Sequence, residues 1–587
     1  MALARNYITA FLIGNTLLCM GQEKNGAVIP WTTYEAEHLP TTGTVIGPKY
    51  DPYAVETESS GQRAVKLGSS GQFIELTASA RANSLVIRFS LPDGGNGGGR
   101  SATLGLYKNG SLIQLCPISS RHAWLYGNYP FTNDPAAGKP RHFYDETRVK
   151  GLKIEKGDII RIQRDDREGD NADYCIIDLV DLEAIAPPMK RPANALSIDD
   201  KRFTGITITA DYTNAFRNCI AMAKRTGKTV WVPAGKFRIT GDIVLPDNTT
   251  IQGAGMWYTE LVGNDTAYTD PNKRLRLKGN GNNIHLADLA LIGSLNYRSD
   301  KEPNDGIVGS FGTNSSIARI WIEHTKVGMW IENSLGLRIT GCRLRNTMAD
   351  GINLCVGMSR STIENCTARG TGDDCFAIWP TVYAKQQFPP GNNLIIHCTA
   401  QLPYLANGVA VYGGESNSIK YCSFSDISPG SAILISTTFP TATGDKSINN
   451  NFSGTTVIED CSIRKSGGFD HEWGWRAAIE ICLDKRDIAG LKLNNLYIDS
   501  SLSNGLSVIA KNEQSHIGVL SGATLQNVTI SNYGIGTTGS HGLFVSKDAH
   551  GALAIKGSDI PETYNDSPDF SLRRGADSTS RSPGQHR

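Results

Sequence analysis

The chain has almost no net charge. Its 587 residues carry 58 lysines and arginines against 57 aspartates and glutamates, a balance of +1. That gives no electrostatic reason to expect nucleic acid or an anionic membrane as partner. The twelve cysteines include no Cys-x-x-Cys pair, so a structural zinc site lacks its usual ligand spacing. After the first twenty residues no apolar run is long enough to cross a bilayer. The glycine-rich run "PDGGNGGGR" at residues 92–100 lacks the Lys-Ser/Thr and the following helix of a phosphate loop, and reads as a surface loop.

What is present points to an all-β protein. Glycine is abundant, at 62 residues, and short alternating apolar runs are separated by turn residues. The length leaves room for two or three domains. The start, "MALARNYITAFLIGNTLLCMGQE", has the form of a secretory signal over residues 1–21. Arg5 supplies the positive start, and residues 7–20 form an apolar stretch short for a membrane span. Export to the extracellular space or periplasm is expected, with no membrane attachment after cleavage. Cys19 offers a lipoprotein alternative, against which stands the bulky Leu18 before it.

Residues 27–185 alternate in short strands between turn clusters, the pattern of a β-sandwich. A proline-rich, basic linker follows at 186–205. Ala215, Cys219, Ile220, Met222 and Ala223 then make one apolar helical face, ended by Gly227. A helix leading into repeated strands is the cap that a β-helix needs over its open N-terminal end. The β-helix is expected over 206–550, and the tail at 567–587 reads as disordered.

The repeat is visible directly. Cys342 and Cys366 are 24 residues apart, as are Cys398 and Cys422. With Cys461 they recur in one frame, better read as a buried column of small apolar side chains than as disulfides. Strands align as "VGMWIEN", "DGINLCV", "DDCFAIW", "NGVAVYG", "GSAILIS", "AAIEICL", "NGLSVIA" and "HGLFVSK". Insertions at 380–393, 437–451 and 467–476 exceed the period, which describes a solenoid with a loop-walled groove.

Within that repeat "MADGINL" and "GTGDDCFAIW" supply Asp350, Asp373 and Asp374. The strand alignment places Asp373 on the register of Asp350, one coil further on. A coil stack puts such positions roughly 4.8 Å apart. Asp-Gly pairs are also common turn dipeptides, but three clustered acids repel one another, and that raises pKa values. One protonated and one ionised carboxyl is what glycoside hydrolysis needs, with room for a water when the groups stand about 6.5–9.5 Å apart. A lyase would instead use the acids to hold Ca²⁺, with a basic residue abstracting a proton. Lys326, Arg343, Arg345 and Arg369 are nearby in sequence and read mostly as solvated positions. A glycan-binding β-helix without catalysis would have no use for the acids. Trp330, Trp379, Tyr412, Trp473 and Trp475 are candidate sugar-stacking rings, each with core packing as its alternative, and His324 stands equally between core and site.

Around these residues, through "WIEHTKVGMWIEN", "RLRNTMADGINLCVG", "ENCTARGTGDDCFAIW" and "NGVAVYGGESN", the chain resembles glycoside hydrolase family 87, the α-1,3-glucanases and mycodextranases. The resemblance implies a right-handed parallel β-helix with three catalytic aspartates, mapping onto Asp350, Asp373 and Asp374. By analogy with polygalacturonases, Asp373 would be the general acid, and Asp350 and Asp374 would hold the water. The implied activity is endo-acting, inverting hydrolysis of α-1,3-glucan by a monomer needing no cofactor. The first domain resembles carbohydrate-binding modules that often hold structural Ca²⁺, with Glu35, Glu37 and Asp178 or Asp181 as the matching acids. It shows no clear aromatic platform, so buttressing the β-helix is its other reading.

Overall fold

The computed structural model describes residues 25–205, 210–441, 449–510 and 517–575. The expected signal at 1–21 lies outside them. Among the described residues no helix is long and apolar enough to cross a membrane.

The larger part is a parallel β-helix. Two long sheets of 22 and 13 strands run along it, and successive strands of each come from successive coils. The cause is visible in single columns. Ile339, Ile363, Ile395, Ile419 and Ile458 pair in register, and none is exposed. Each such side chain stabilises the fold by roughly 1.5–3 kcal/mol relative to exposure. Cys342, Cys366, Cys398, Cys422 and Cys461 form a second buried column, and every cysteine among the described residues is a free thiol. The residue before each of these five cysteines has a left-handed φ of 49–63°. A sharp corner between two strands falls there, which suits Gly341, Asn365 and Asp460.

The helix Thr213–Thr226 buries Ala215, Phe216, Cys219, Ile220 and Ala223 against the first coil and ends at a left-handed Gly227. Met222 packs on the core only partly. The solenoid is longer than expected at both ends. Ala195–Ser197, inside the expected linker, pairs with Thr229–Val232 as the first rung. Phe570–Arg574, inside the expected tail, pairs with the strand His550–Lys556, because Phe570 closes the last coil with 4 % of its surface exposed. Residues 576–587 lie outside the described chain.

The first domain is a sandwich of a six-stranded and a four-stranded antiparallel sheet around its own core. It is bound to the β-helix by buried charge. Arg343 grips Glu183 with two bonds of 2.7 Å. Arg369 reaches Glu146 at 2.6 Å and Asp181 at 2.8 Å, and Arg345 lies 3.6 Å from Glu146. The expectation of solvated positions for these three arginines is therefore corrected. They stand on the long sheet where the sandwich covers it, and carboxylates of the sandwich neutralise them.

Candidate active site

The eight aligned strands all fall in the 13-stranded sheet. Two of them, "DDCFAIW" and "GSAILIS", are offset by one residue from the sequence alignment. Ile352 pairs with Phe376, and the Gly351 N–H donates to the Asp374 carbonyl. Asp374, rather than Asp373, therefore stands in register with Asp350. Asn407 continues the column, since Phe376 pairs with Val409. The neighbouring glycines permit this close stacking. A Cβ on Gly351 would stand 2.4 Å from the Cys375 carbonyl oxygen, and one on Gly372 would stand 2.2 Å from the Met348 carbonyl oxygen.

One oxygen from each of Asp350, Asp373 and Asp374 lies within 4.8 Å of the others. Among the described residues this is the only cluster of three metal-capable side chains. Asp350 and Asp374 are buried, while the Asp373 side chain is 29 % exposed. Asp374 accepts from Asn407 Nδ2 at 2.8 Å and from the Tyr412 hydroxyl at 2.9 Å. Arg298 donates to Asp373 at 2.5 Å and to the Gly372 carbonyl at 2.7 Å. Its other partner is Asp300, at 3.1 Å. Burial opposes the charge of Arg298, and the two aspartates more than offset that.

Burial, and then repulsion from Asp373 and Asp374, push the Asp350 carboxyl well above the usual range. Burial, and then Asp373, push Asp374 up to about 7 against the hydrogen bonds from Asn407 and Tyr412. The cluster therefore keeps a proton near neutral pH, shared among coupled groups.

The acids open onto a cavity of about 690 Å³ that also holds Lys326, Trp330, Trp379, Tyr383 and Tyr412. A second chamber of about 260 Å³ is lined by Tyr129, Asn407, His471 and Trp473 among others. Asp350 and Asp374 line the first chamber. Asp373 lines both, with Arg298, Asp300, Tyr412 and Phe439. Trp379 anchors an aromatic wall, its centroid 5.6 Å from Trp330, 6.0 Å from Tyr383 and 6.1 Å from Phe439.

Of the sequence candidates, Trp330, Trp379, Tyr412 and Trp473 reach the groove, and Trp475 lines neither chamber. His324 is corrected. It ends a strand of the long sheet, turned by a φ of 56°, and bonds Asp145 of the sandwich at 2.8 Å. It serves the domain junction and lines neither chamber.

Of the acids expected to hold calcium, Glu35, Glu37 and Asp178 lie near enough to repel one another but are not gathered as closely as the three active-site aspartates, and one buried oxygen each of Glu35 and Glu37 has no protein partner. The Asp178 carboxylate is taken up by the Arg88 guanidinium at 2.5 Å and the Ser60 N–H at 2.9 Å. Glu35 accepts from the Ser60 hydroxyl, and burial followed by Asp178 pushes it up to about 8. The alternative ligand, Asp181, pairs with Arg369.

Arg298, Asn407, Tyr383 and Phe439 were not picked out from sequence. Asn407 could have been, because it opens the aligned run "NGVAVYG". Arg298 falls outside the aligned strands and had no signal.

A parallel β-helix carrying three aspartates in an aromatic-walled groove is the design of a polysaccharide-active glycoside hydrolase. Two family models match in succession: Alpha-1,3-glucanase catalytic domain D1 over residues 28–185 and domain D2 over 206–474. The chain belongs to glycoside hydrolase family 87. It is similar in structure to the catalytic unit of a thermostable family 87 α-1,3-glucanase from Streptomyces thermodiastaticus, at 28 % identity and a TM-score of 0.78, covering 95 % of this chain and 98 % of that one. A family 87 α-1,3-glucanase catalytic domain in complex with nigerose superposes with a TM-score of 0.76 at 26 % identity, covering 94 % and 99 %. The Agl-KA catalytic domain, at 24 % identity, shares the fold with a TM-score of 0.83, covering 96 % of this chain and all of that one. A sequence search of curated proteins gives no match.

Proposed function

We propose that this glycoside hydrolase cleaves α-1,3-glucosidic bonds within glucan chains, by single displacement with inversion, outside the cell. One observation carries the reading: Asp373 stands between two adjoining chambers, with Asp350 and Asp374 behind it in the larger one. A chain crossing both chambers would place one glycosidic oxygen at Asp373. Chambers on both sides of the acids suit attack within a chain. The nigerose complex of a relative supports the α-1,3 linkage. Secretion rests on the N-terminal sequence pattern.

Asp373 is assigned as proton donor to the leaving oxygen. Arg298 donates to its Oδ2 and the Asp374 N–H to its Oδ1, which together fix the orientation of the carboxyl. Asp350 and Asp374 are assigned to the attacking water. Both oxygens of Asp374 accept hydrogen bonds, which orients it as a base and makes it a poor nucleophile.

A second reading has one observation in its favour. One oxygen from each carboxyl lies within 4.8 Å of the others, closer than the roughly 6.5–9.5 Å of two-carboxylate inverting sites. That spacing follows from placing Asp350 and Asp374 on adjacent strands of one sheet, and it would also suit a covalent glycosyl intermediate. NMR of the first product formed from insoluble α-1,3-glucan separates the two. A β-anomer supports inversion, and an α-anomer supports double displacement. Absence of α-1,3-linked oligosaccharides, with nigeran or dextran cleaved instead, would overturn the linkage.

A further inference from the structure

The second chamber is built from both domains. Residues 126–132 of the sandwich form a closed loop, with Tyr126 and Thr132 exchanging backbone bonds of 2.8 and 3.2 Å. The loop delivers Tyr129 and Phe131 to the chamber, facing His471 and Trp473 of the insertion at 467–476. Phe131 is 2 % exposed and packs edge-on to His471 at 5.4 Å. The Arg141 guanidinium stands 4.5 Å over its ring. Tyr129 differs. It packs edge-on against Phe131 at 5.9 Å and leaves 37 % of its surface exposed at the chamber.

The same loop touches the acid trio through one intermediary. The Phe131 carbonyl accepts the Arg298 N–H at 3.0 Å in an isolated antiparallel bridge. The Tyr129 hydroxyl accepts the Asp300 N–H. Arg298 and Asp300 are ion-paired, and Arg298 holds Asp373. The sandwich thus grips both ends of the segment that carries the arginine.

We propose that Tyr129 forms a glucose subsite with Trp473 on the far side of Asp373, and that its loop positions Arg298 against the Asp373 carboxylate. An exposed phenol ring offers the flat apolar face on which a pyranose stacks. Trp473 stands across from it, with Arg476 at 4.9 Å from its ring. Asp470, whose carboxylate accepts the Glu472 N–H at 2.8 Å, holds the turn that carries Trp473. Tyr129 is a binding residue, while Phe131 and Arg298 are positioning residues. This inference rests on the proposed glucan substrate and gives the first domain a part in substrate binding.

The test uses the full chain. Binding of α-1,3-linked glucotetraose is measured by titration calorimetry on the Asp350→Asn protein, with and without Tyr129→Ala. Loss of the ring should weaken binding about tenfold, the scale of one aromatic stacking contact. Tyr129→Phe keeps the ring and loses only the acceptor for Asp300, so its tetraose affinity should stay within about twofold. In otherwise intact enzyme the same change should lower kcat severalfold at unchanged KM, which loss of a merely structural contact would not do. Unchanged tetraose affinity in Tyr129→Ala overturns the subsite, and unchanged kcat in Tyr129→Phe overturns the positioning role. Maltotetraose is titrated in parallel. If it binds and the α-1,3 tetraose does not, the linkage reading fails, while the Tyr129→Ala comparison still decides the subsite with that ligand.

Discussion

Asp374 stands in register with Asp350 on the next coil, while Asp373, one residue earlier in the corner before that strand, lines both chambers. Two acids of the trio are thereby buried as strand neighbours, and the third is partly open to solvent and tied to Arg298. The division of labour in the proposed mechanism follows from that difference in burial.

Asp373→Asn should lower turnover on α-1,3-glucan by roughly two to four orders of magnitude, the usual contribution of a general acid. The fold should survive, because Asn fits the same space. Circular dichroism and thermal melting would show an unchanged protein. Near-normal reducing-sugar release would remove Asp373 from the mechanism.

Tyr412→Phe should move the acidic limb of the kcat/KM profile to higher pH. The hydroxyl hydrogen bond favours ionised Asp374, already pushed up to about 7. Losing it favours the protonated form, so a shift of about half a unit upward is expected. A profile that stays in place or moves down would detach Asp374 from the acidic limb.

The domain junction should respond strongly to Arg369→Ala. That change leaves Glu146 and Asp181 buried without their cation, at a cost of roughly 3–5 kcal/mol. Chemical denaturation should show the loss. A variant within 1 kcal/mol of the parent would mean that water replaces the guanidinium.

His324 and Asp145 make the junction pH-sensitive. Burial opposes the charge on His324, yet Asp145 raises its pKa above the ordinary value. Burial likewise opposes the charge on Asp145, and His324 holds it down at about 2. The histidine contribution is complete below about pH 6.5 and is lost as pH rises through the folded value. The aspartate contribution is complete above about pH 3.9 and is lost only as pH falls toward 2. The pair is whole between these limits. The stability difference between the parent and His324→Gln should be largest near pH 5–6 and shrink by pH 8. A gap independent of pH would show the pair to be neutral in the fold.

Much of this was legible in the order of residues. The 24-residue recurrence of Cys342 and Cys366, the capping helix and the eight aligned strands follow from apolar side chains that must stack inward. The three aspartates and the groove aromatics Trp330, Trp379 and Tyr412 lie in that repeat, and Trp473 lies in one of its insertions. The one-residue slip between Asp373 and Asp374 arose because either acid satisfies the spacing from Asp350. Matching Ile352 to Phe376, which keeps both inside, resolves it.

Contacts between distant segments left no periodic trace. Arg298 reaches Asp373 across 75 positions, and Phe131 reaches Arg298 from another domain. The same holds for the placing of His324, Arg343 and Arg369 at the junction, where partners lie more than 150 positions away. A repeat encodes its own neighbours, because each coil must match the next in shape and apolarity. The docking of one domain on another depends on which charged groups meet once both have folded, and only the assembled structure brings those groups together.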